Sequence, residues 1–370
     1  MNIDDLLSDL ADLVSIESPS LNIPAVTRSA AVLAEIIERR LGTAPDIIDS
    51  PAGPHVSWRG GPAPRVLILG HHDTVFPMGT LERRPFVVDD GRATGPGVFD
   101  MKAGIVQAIH AVATLADRSM VEMLFSCDEE VGSGHSRSLI EERARACGNV
   151  LVLEASADGG ALKTARKGVG MFEVIVHGRA SHAGLEPEKG INSLIAAAEL
   201  VTQIATFGDP DRATTVTPTV ARAGTAENVV PAEARLLVDV RVAELSEQTR
   251  VEVAMGSLRT TVADARIEIH GGLNRPPMSP DASTTLFPLA VEAAAEAGIH
   301  QIKGVGVGGG SDGNFTAAIG VPTLDGLGAV GGGAHADHEY VVVDTMVPRS
   351  WMLAGLIRRI AAATPASVGA

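Results

Sequence analysis

Val66 to Leu69 is a run of four apolar residues with no polar alternation, and His71 and Asp73 follow it at once. A half-exposed strand alternates, whereas a short unbroken apolar run fits a strand buried on both faces, as in parallel sheets covered by helices. Gly70 reads as the end of that strand. A period of two then puts His71 and Asp73 on one side of the strand end, where a carboxylate can orient an imidazole that holds a metal. Two more apolar runs, Met120 to Ser126 and Val150 to Leu153, lead to the acids Glu129 and Glu130 and to Glu154. Helical spacing covers 3–16, 24–41 (with Pro24 placed for a helix start), 103–116 and, in a polar segment, about 133–147. Alternating strands and helices predict an α/β domain with a largely parallel sheet.

The pattern changes near residue 168. Strands at 171–177, 214–221, 235–242 and 266–270 alternate with helices at 190–204 and about 246–262. In the first of these helices, Ile191, Leu194, Ala198 and Val201 are expected to face inward. Strand, helix, two strands, helix, strand is the ferredoxin-like order. From about 276 the α/β texture returns, with helices at 283–296, 312–319 and 347–362 and a glycine-rich stretch at 304–313. The expected layout is a larger domain made of 1–167 and 276–370, interrupted by a smaller α+β domain over 168–275.

Bulk properties narrow the function classes. A formal charge of −15 argues against nucleic acid and anionic membrane surfaces as partners. No apolar run is long enough to span a bilayer. Two cysteines, Cys127 and Cys147, form no disulfide framework, and the N-terminus lacks a secretory pattern, so the expected location is cytoplasmic.

In open α/β sheets ligands bind outside the carboxyl ends of the strands. His71, Asp73, Asp100, Glu129, Glu130 and Glu154 all fall at strand ends or in the loops after them, and His335 adds a late imidazole. Any one acid there is ordinarily a helix cap. The whole set would repel itself without a cation.

The ordered motifs HxD (71–73), GPGxxDxK (95–102), DEExGS (128–133), an isolated Glu154, GxASHAG (178–184), NVVPA (228–232), GGGSD (308–312) and AHxxxEY (334–340) span nearly the whole chain. This series resembles the dinuclear zinc exopeptidases of the glutamate carboxypeptidase group, relatives of acetylornithine deacetylase and succinyl-diaminopimelate desuccinylase. The resemblance implies two Zn²⁺ per subunit, with Co²⁺ or Mn²⁺ as possible substitutes. Asp100 would bridge them, with His71 and Glu154 completing one site and Glu130 and His335 the other. Asp73 would hold the His71 ring, and Glu129 would be the general base acting on a hydroxide-forming water between the ions. His72 and His338 match no ligand position. The resemblance also implies a cis peptide after Asp100 and a homodimer built through the inserted lid domain. His182 would then act in the partner's cleft, and Asn228, Arg241, Arg275, Gly309 and Gly310 would contact the substrate's carboxylate end. Surface salt bridging is the alternative role for the two arginines.

The implied reaction is hydrolysis of an amide bond beside a free carboxylate, with release of C-terminal glutamate from a small peptide as first choice. The alternative is deacylation of an N-acyl amino acid. Ser311, in a G-x-S-x-G context with Asp325 and His335 in serine-hydrolase order, offers a remote third reading. It leaves the four acids unexplained, and glycines stand where the strand before a nucleophile elbow should be. A non-catalytic scaffold would be expected to lack the general base, and Glu129 is present.

Overall fold

The computed structural model describes residues 1–363, so 364–370, the end of the expected 276–370 segment, lies outside the described residues. The chain divides into two compact units. The larger comprises Met1–Ala165, Ser279–Val307 and the segment from Ser311 onward, and the smaller Arg166–Met278 with Gly308–Gly310.

In the larger unit the strands before the insertion are β1 (Asp46–Ile48), β2 (His55–Arg59), β3 (Val66–His71), β4 (Val87–Asp89), β5 (Arg92–Thr94), β6 (Val121–Ser126), β7 (Val150–Val152) and β8 (Leu162–Arg166). The smaller unit holds β9 (Gly168–His177), β10 (Thr215–Ala223), β11 (Glu233–Val242) and β12 (Arg266–Arg275). After it come β13 (Gly304–Val307), β14 (Thr323–Leu324), β15 (Gly331–Gly332) and β16 (Tyr340–Val342).

The main sheet has the order β1-β2-β6-β3-β7-β14. β3 runs parallel to β6 and β7, and β14 parallel to β7, while β1 and β2 close one edge antiparallel. Every residue of β3 and β6 is buried. Alternation splits β3 between two cores. Val66 and Ile68 pack with the helices Ile3–Val14, Ile23–Leu41, Ala103–Ala113 and Met346–Ala362, and Leu67 and Leu69 with Ile140 and Ala144 of Arg137–Cys147. Truncating Ile68 to alanine in such a site costs about 2–5 kcal/mol. The helices stop where the sequence permits a left-handed residue: Gly42 (φ 81°) ends Ile23–Leu41 and Gly148 (φ 78°) ends Arg137–Cys147.

Three local expectations change. Gly70 does not end its strand, because β3 continues to His71. A Cβ at Gly70 would lie 3.2 Å from Met101 Cε and 3.3 Å from Phe125 Cδ1, so the glycine makes room rather than breaking the strand. The edge strands β1 and β2, and a small antiparallel sheet β15-β16-β5-β4, were not anticipated. They are two to five residues long and carry little periodic signal.

The smaller unit is an antiparallel sheet of order β10-β11-β9-β12, with the helices Ser193–Ile204 and Leu245–Gly256 packed on it. Helix 193–204 buries Ser193, Ala196, Ala197, Leu200 and Ile204, whereas Leu194 is 51% and Ile195 54% exposed. The expected inward face is therefore rotated. Apolar residues occupy both sides of this helix, and Ala196, Ala197, Leu200 and Ile204 are the ones buried in the core. The glycines 308–310 group with this unit through Arg166, which is 4% exposed and donates to the carbonyls of Gly309 and Gly310, both at 3.1 Å. Among the described residues no helix is long and apolar enough to cross a membrane. The fold is thus α/β with a largely parallel central sheet and an inserted α+β unit.

Candidate metal centre

The parallel strands deliver their polar residues to one end of the larger unit's sheet. His71 is the last residue of β3, Glu129 and Glu130 open a short turn after β6, and Glu154 follows β7. His335 comes from the loop between β15 and β16. Asp100 lies in an irregular turn, Val98–Lys102, ahead of helix Ala103–Ala113, and the Asp100–Met101 peptide is cis.

Asp100 stands between the two histidines. Its Oδ1 is 3.4 Å from His71 Nε2, and its Oδ2 is 3.3 Å from His335 Nε2. Glu154 Oε1 lies 3.7 Å from the same His71 nitrogen, and Glu130 Oε2 3.2 Å from that of His335. His71, Glu129 and Glu154 bring ligand-type atoms within 4.8 Å of one another, as do His71, Asp100 and Glu130. Asp100 Oδ1 and Glu130 Oε1 are buried without a hydrogen-bond partner. Buried carboxylate oxygens left this way are costly unless a cation meets them.

The supporting residues are as well defined. His71 Nδ1 is 3.0 Å from the Asp73 carbonyl oxygen and 3.4 Å from its carboxylate, which leaves Nε2 facing the acids. Asp73, fully buried, also accepts from the backbone N–H of Glu129 (3.3 Å) and of Glu130 (3.2 Å), and from the Ser20 hydroxyl (2.6 Å). One carboxylate therefore sets both the imidazole and the acid pair. Glu154 is placed through its carbonyl, which accepts from Gly328 N–H (3.0 Å). The Gly328 carbonyl in turn accepts from the buried Arg349 guanidinium (3.0 Å). Glu339, also fully buried, accepts from the N–H groups of Gly97, Phe99 and Asp100 at 2.8, 2.8 and 2.9 Å. Burial pushes its carboxyl up to about 7 against the pull of those donors. Glu339 and Arg349 had no assigned role in the sequence, because their partners are backbone groups remote along the chain.

The electrostatics favour a cation. The Asp100 and Glu130 carboxylates, which accept from its ring, hold the His335 imidazole up at about 10. Burial opposes protonation of His71, yet Asp100 and Asp73 keep it well above the usual histidine range. Burial would raise Asp100, but His335 and His71 hold it below the ordinary carboxylate range. A metal ligates neutral imidazole, so a divalent cation entering this cluster displaces those protons. Zn²⁺ uptake by metal-stripped protein at pH 7 is expected to release protons, and affinity to climb as pH rises toward about 10. Calorimetry in buffers of different ionisation enthalpy measures this, and uptake without proton release would contradict it.

Other histidines are placed differently. His72 is buried, bonded to Ser29 Oγ (3.2 Å) and the Pro54 carbonyl (3.1 Å), with burial pushing it down to about 4. His338 is exposed. His55, Cys127 and Asp128 also bring ligand-type atoms within 4.8 Å. However, His55 Nδ1 accepts from the Cys127 N–H (3.3 Å), which leaves the proton on Nε2. That leaves Nε2 a buried N–H without a hydrogen-bond partner rather than a lone pair for a cation. Ser311 is buried on a loop after the strand β13, which forms where the sequence, with its glycines, was expected to have no strand, and it donates straight to Asp325 Oδ2 (2.6 Å). A triad would interpose a histidine there.

The remaining candidates belong to the smaller unit. His182 is exposed, and its Nδ1 accepts from the N–H groups of Gly184 (3.1 Å) and Leu185 (3.2 Å). The Asn228 carbonyl accepts from Ala183 N–H at 2.9 Å, so the two motif loops are tied together. Arg241 pairs with Asp239 (Nη2 to Oδ2, 2.9 Å), the salt bridge held open as its alternative, and Arg275 is 5% exposed. Both arginines lie opposite Val169 in the sheet, one on each side of β9.

Residues 67–359 match the model of peptidase family M20/M25/M40. Carboxypeptidase G2 of Pseudomonas sp. (strain RS-16) is 33% identical over 322 residues, covering 83% of this chain and 76% of that protein. An M20 family metallo-carboxypeptidase from Sulfolobus solfataricus shares the fold with a TM-score of 0.80 at 15% identity, covering 97% of this chain and 99% of that one. A dinuclear metal-binding M20 peptidase from Bacillus subtilis does so with a TM-score of 0.65 at 18% identity, covering 96% and 98%. With its family match spanning most of its length and its acids and imidazoles gathered at the strand ends, the chain belongs to peptidase family M20/M25/M40, the metallopeptidases.

Proposed function

We propose that this enzyme is a dinuclear zinc exopeptidase that hydrolyses an amide bond beside a free carboxylate, releasing C-terminal glutamate. The observation that carries the reading is the division of Asp100, one oxygen toward His71 and the other toward His335, each histidine having its own second acid. Two imidazoles with carboxylates form a zinc-type donor set, and the unpartnered oxygens of Asp100 and Glu130 suit it. His71, Glu154, Asp100, Glu130 and His335 would hold the two ions. When bound, such ions polarise the scissile carbonyl and lower the pKa of a bound water.

The protein's own groups do the rest. Asp73 fixes the backbone of Glu129, whose carboxylate takes a proton from the attacking water and returns it to the leaving amine nitrogen. His182 carries its proton on Nε2, because Nδ1 already accepts two N–H groups. Its Nε2–H is therefore available to donate to the oxyanion. Asn228, Arg241, Arg275 and the backbone of Gly309 and Gly310 supply donors for the substrate carboxylate, which arginine matches with two parallel hydrogen bonds. The protein works as a homodimer joined through the smaller unit. β10 ends that unit's sheet, and Leu194 and Ile195 are apolar residues left exposed on helix 193–204.

The test compares a peptidyl or N-acyl glutamate with its C-terminal amide. The acid is expected to be the better substrate by about 10–100-fold in kcat/KM, the worth of one charged hydrogen-bonded pair. Arg275→Ala should narrow that gap. Equal kcat/KM for acid and amide in the wild type would sink the proposal.

A further inference from the structure

We propose that Glu339 is a positioning residue that fixes the Asp100 turn, and that its segment controls both halves of the candidate centre together. The inference rests on the ligand assignment above. The Asp100 turn has non-helical backbone at Asp100 (φ −116°, ψ 91°) and Met101 (φ −135°, ψ 30°), so its amides cannot be satisfied as a helix would satisfy them. Three of them, from Gly97, Phe99 and Asp100, converge on one buried carboxylate from the far end of the chain. Glu339 Oε1 takes two of the donors and Oε2 the third. All three partners donate, which favours the ionised group.

The same short segment bears His335. Its turn is closed by Ala336 N–H to the Gly333 carbonyl (2.9 Å) and Glu339 N–H to the Ala336 carbonyl (3.1 Å). Gly333 (φ 74°) and His335 (φ 63°) both take left-handed backbone to make it. His335 thus meets the Asp100 side chain while Glu339, held in the same turn, grips the Asp100 backbone. A displacement of the segment would move an imidazole and the turn of the bridging acid at once. Since Asp100 faces both histidines, loosening its turn should weaken both metals, whereas losing His335 should weaken one.

Zn²⁺ affinity, measured by chelator competition on metal-stripped protein, tests this in wild type, Glu339→Gln, Glu339→Asp and His335→Ala. Glutamine keeps the shape but turns an NH₂ toward at least one N–H donor. Glu339→Gln is expected to lower affinity at both sites by about 10–100-fold. Glu339→Asp, which keeps the charge, should recover part of the loss, and His335→Ala should weaken one site alone. A purely structural role for Glu339 would lower the melting temperature without changing either affinity. Wild-type affinity at both sites in Glu339→Gln, or loss at one site only, would overturn the inference. If Glu339→Gln does not fold, Glu339→Asp decides, because unchanged affinity at both sites there would also overturn it. A wild type that takes up fewer than two Zn²⁺ would instead refute the ligand assignment.

Discussion

Glu129→Gln is expected to bind two zinc ions and turn over substrate roughly 10²–10⁴-fold more slowly than wild type. Glutamine replaces the carboxylate with a group of the same shape that cannot take a proton. Asp73 accepts from the backbone N–H of this residue, and the glutamine side chain leaves that bond in place. Its neighbour should behave differently. Glu130 Oε2 lies 3.2 Å from His335 Nε2, on the other side of Asp100 from Glu154. Glu130→Gln is therefore expected to lose metal from one site and activity as a consequence. Metal content and kcat on the same samples separate the two. Near-normal kcat in Glu129→Gln would remove it as the base.

Mixing two dead variants should restore activity. If His182 serves the partner's cleft, a dimer of one His182→Ala chain and one Glu129→Gln chain has one cleft with both residues intact and one with neither. Equal mixing of chains that exchange freely in a two-fold dimer predicts recovery of roughly a quarter of wild-type activity. Unmixed samples should remain inactive. Verified subunit exchange without recovery would show that His182 acts within its own chain or not at all.

What could be read from the sequence was what sits at regular places. His71, Glu129, Glu130 and Glu154 stand just beyond apolar strand runs, and a parallel sheet brings such positions to one end. Asp100 and His335 have no long apolar strand run directly before them, and their roles came from family motifs. The structure gathers all six in the larger unit, while the roles given to them remain proposals. What escaped was set by distant backbone. Glu339 is separated from its three partners by 242, 240 and 239 residues, and a receiving N–H has no residue signature. Arg349 escaped for the same reason, since it serves the carbonyls of Gly160, Gly326 and Gly328. Gly70 was misread because a glycine that breaks a strand and one that clears space for Met101 and Phe125 look alike in a sequence. Helix 193–204 was turned the wrong way because Leu194 and Ile195 sit apolar on its open side.

The hold of Arg166 on Gly309 and Gly310 matters for anyone recombining this enzyme with a relative. A graft cut at 166 and 278 would look like a clean cassette with two junctions. Yet the compact units change over at 165/166, 278/279, 307/308 and 310/311, so the cassette has four. A chimera that imports a foreign 166–278 segment while keeping the native glycines would ask a new residue to grip an old loop. Retaining Arg166 from the recipient, or moving 308–310 along with the insert, keeps donor and acceptors from a single parent.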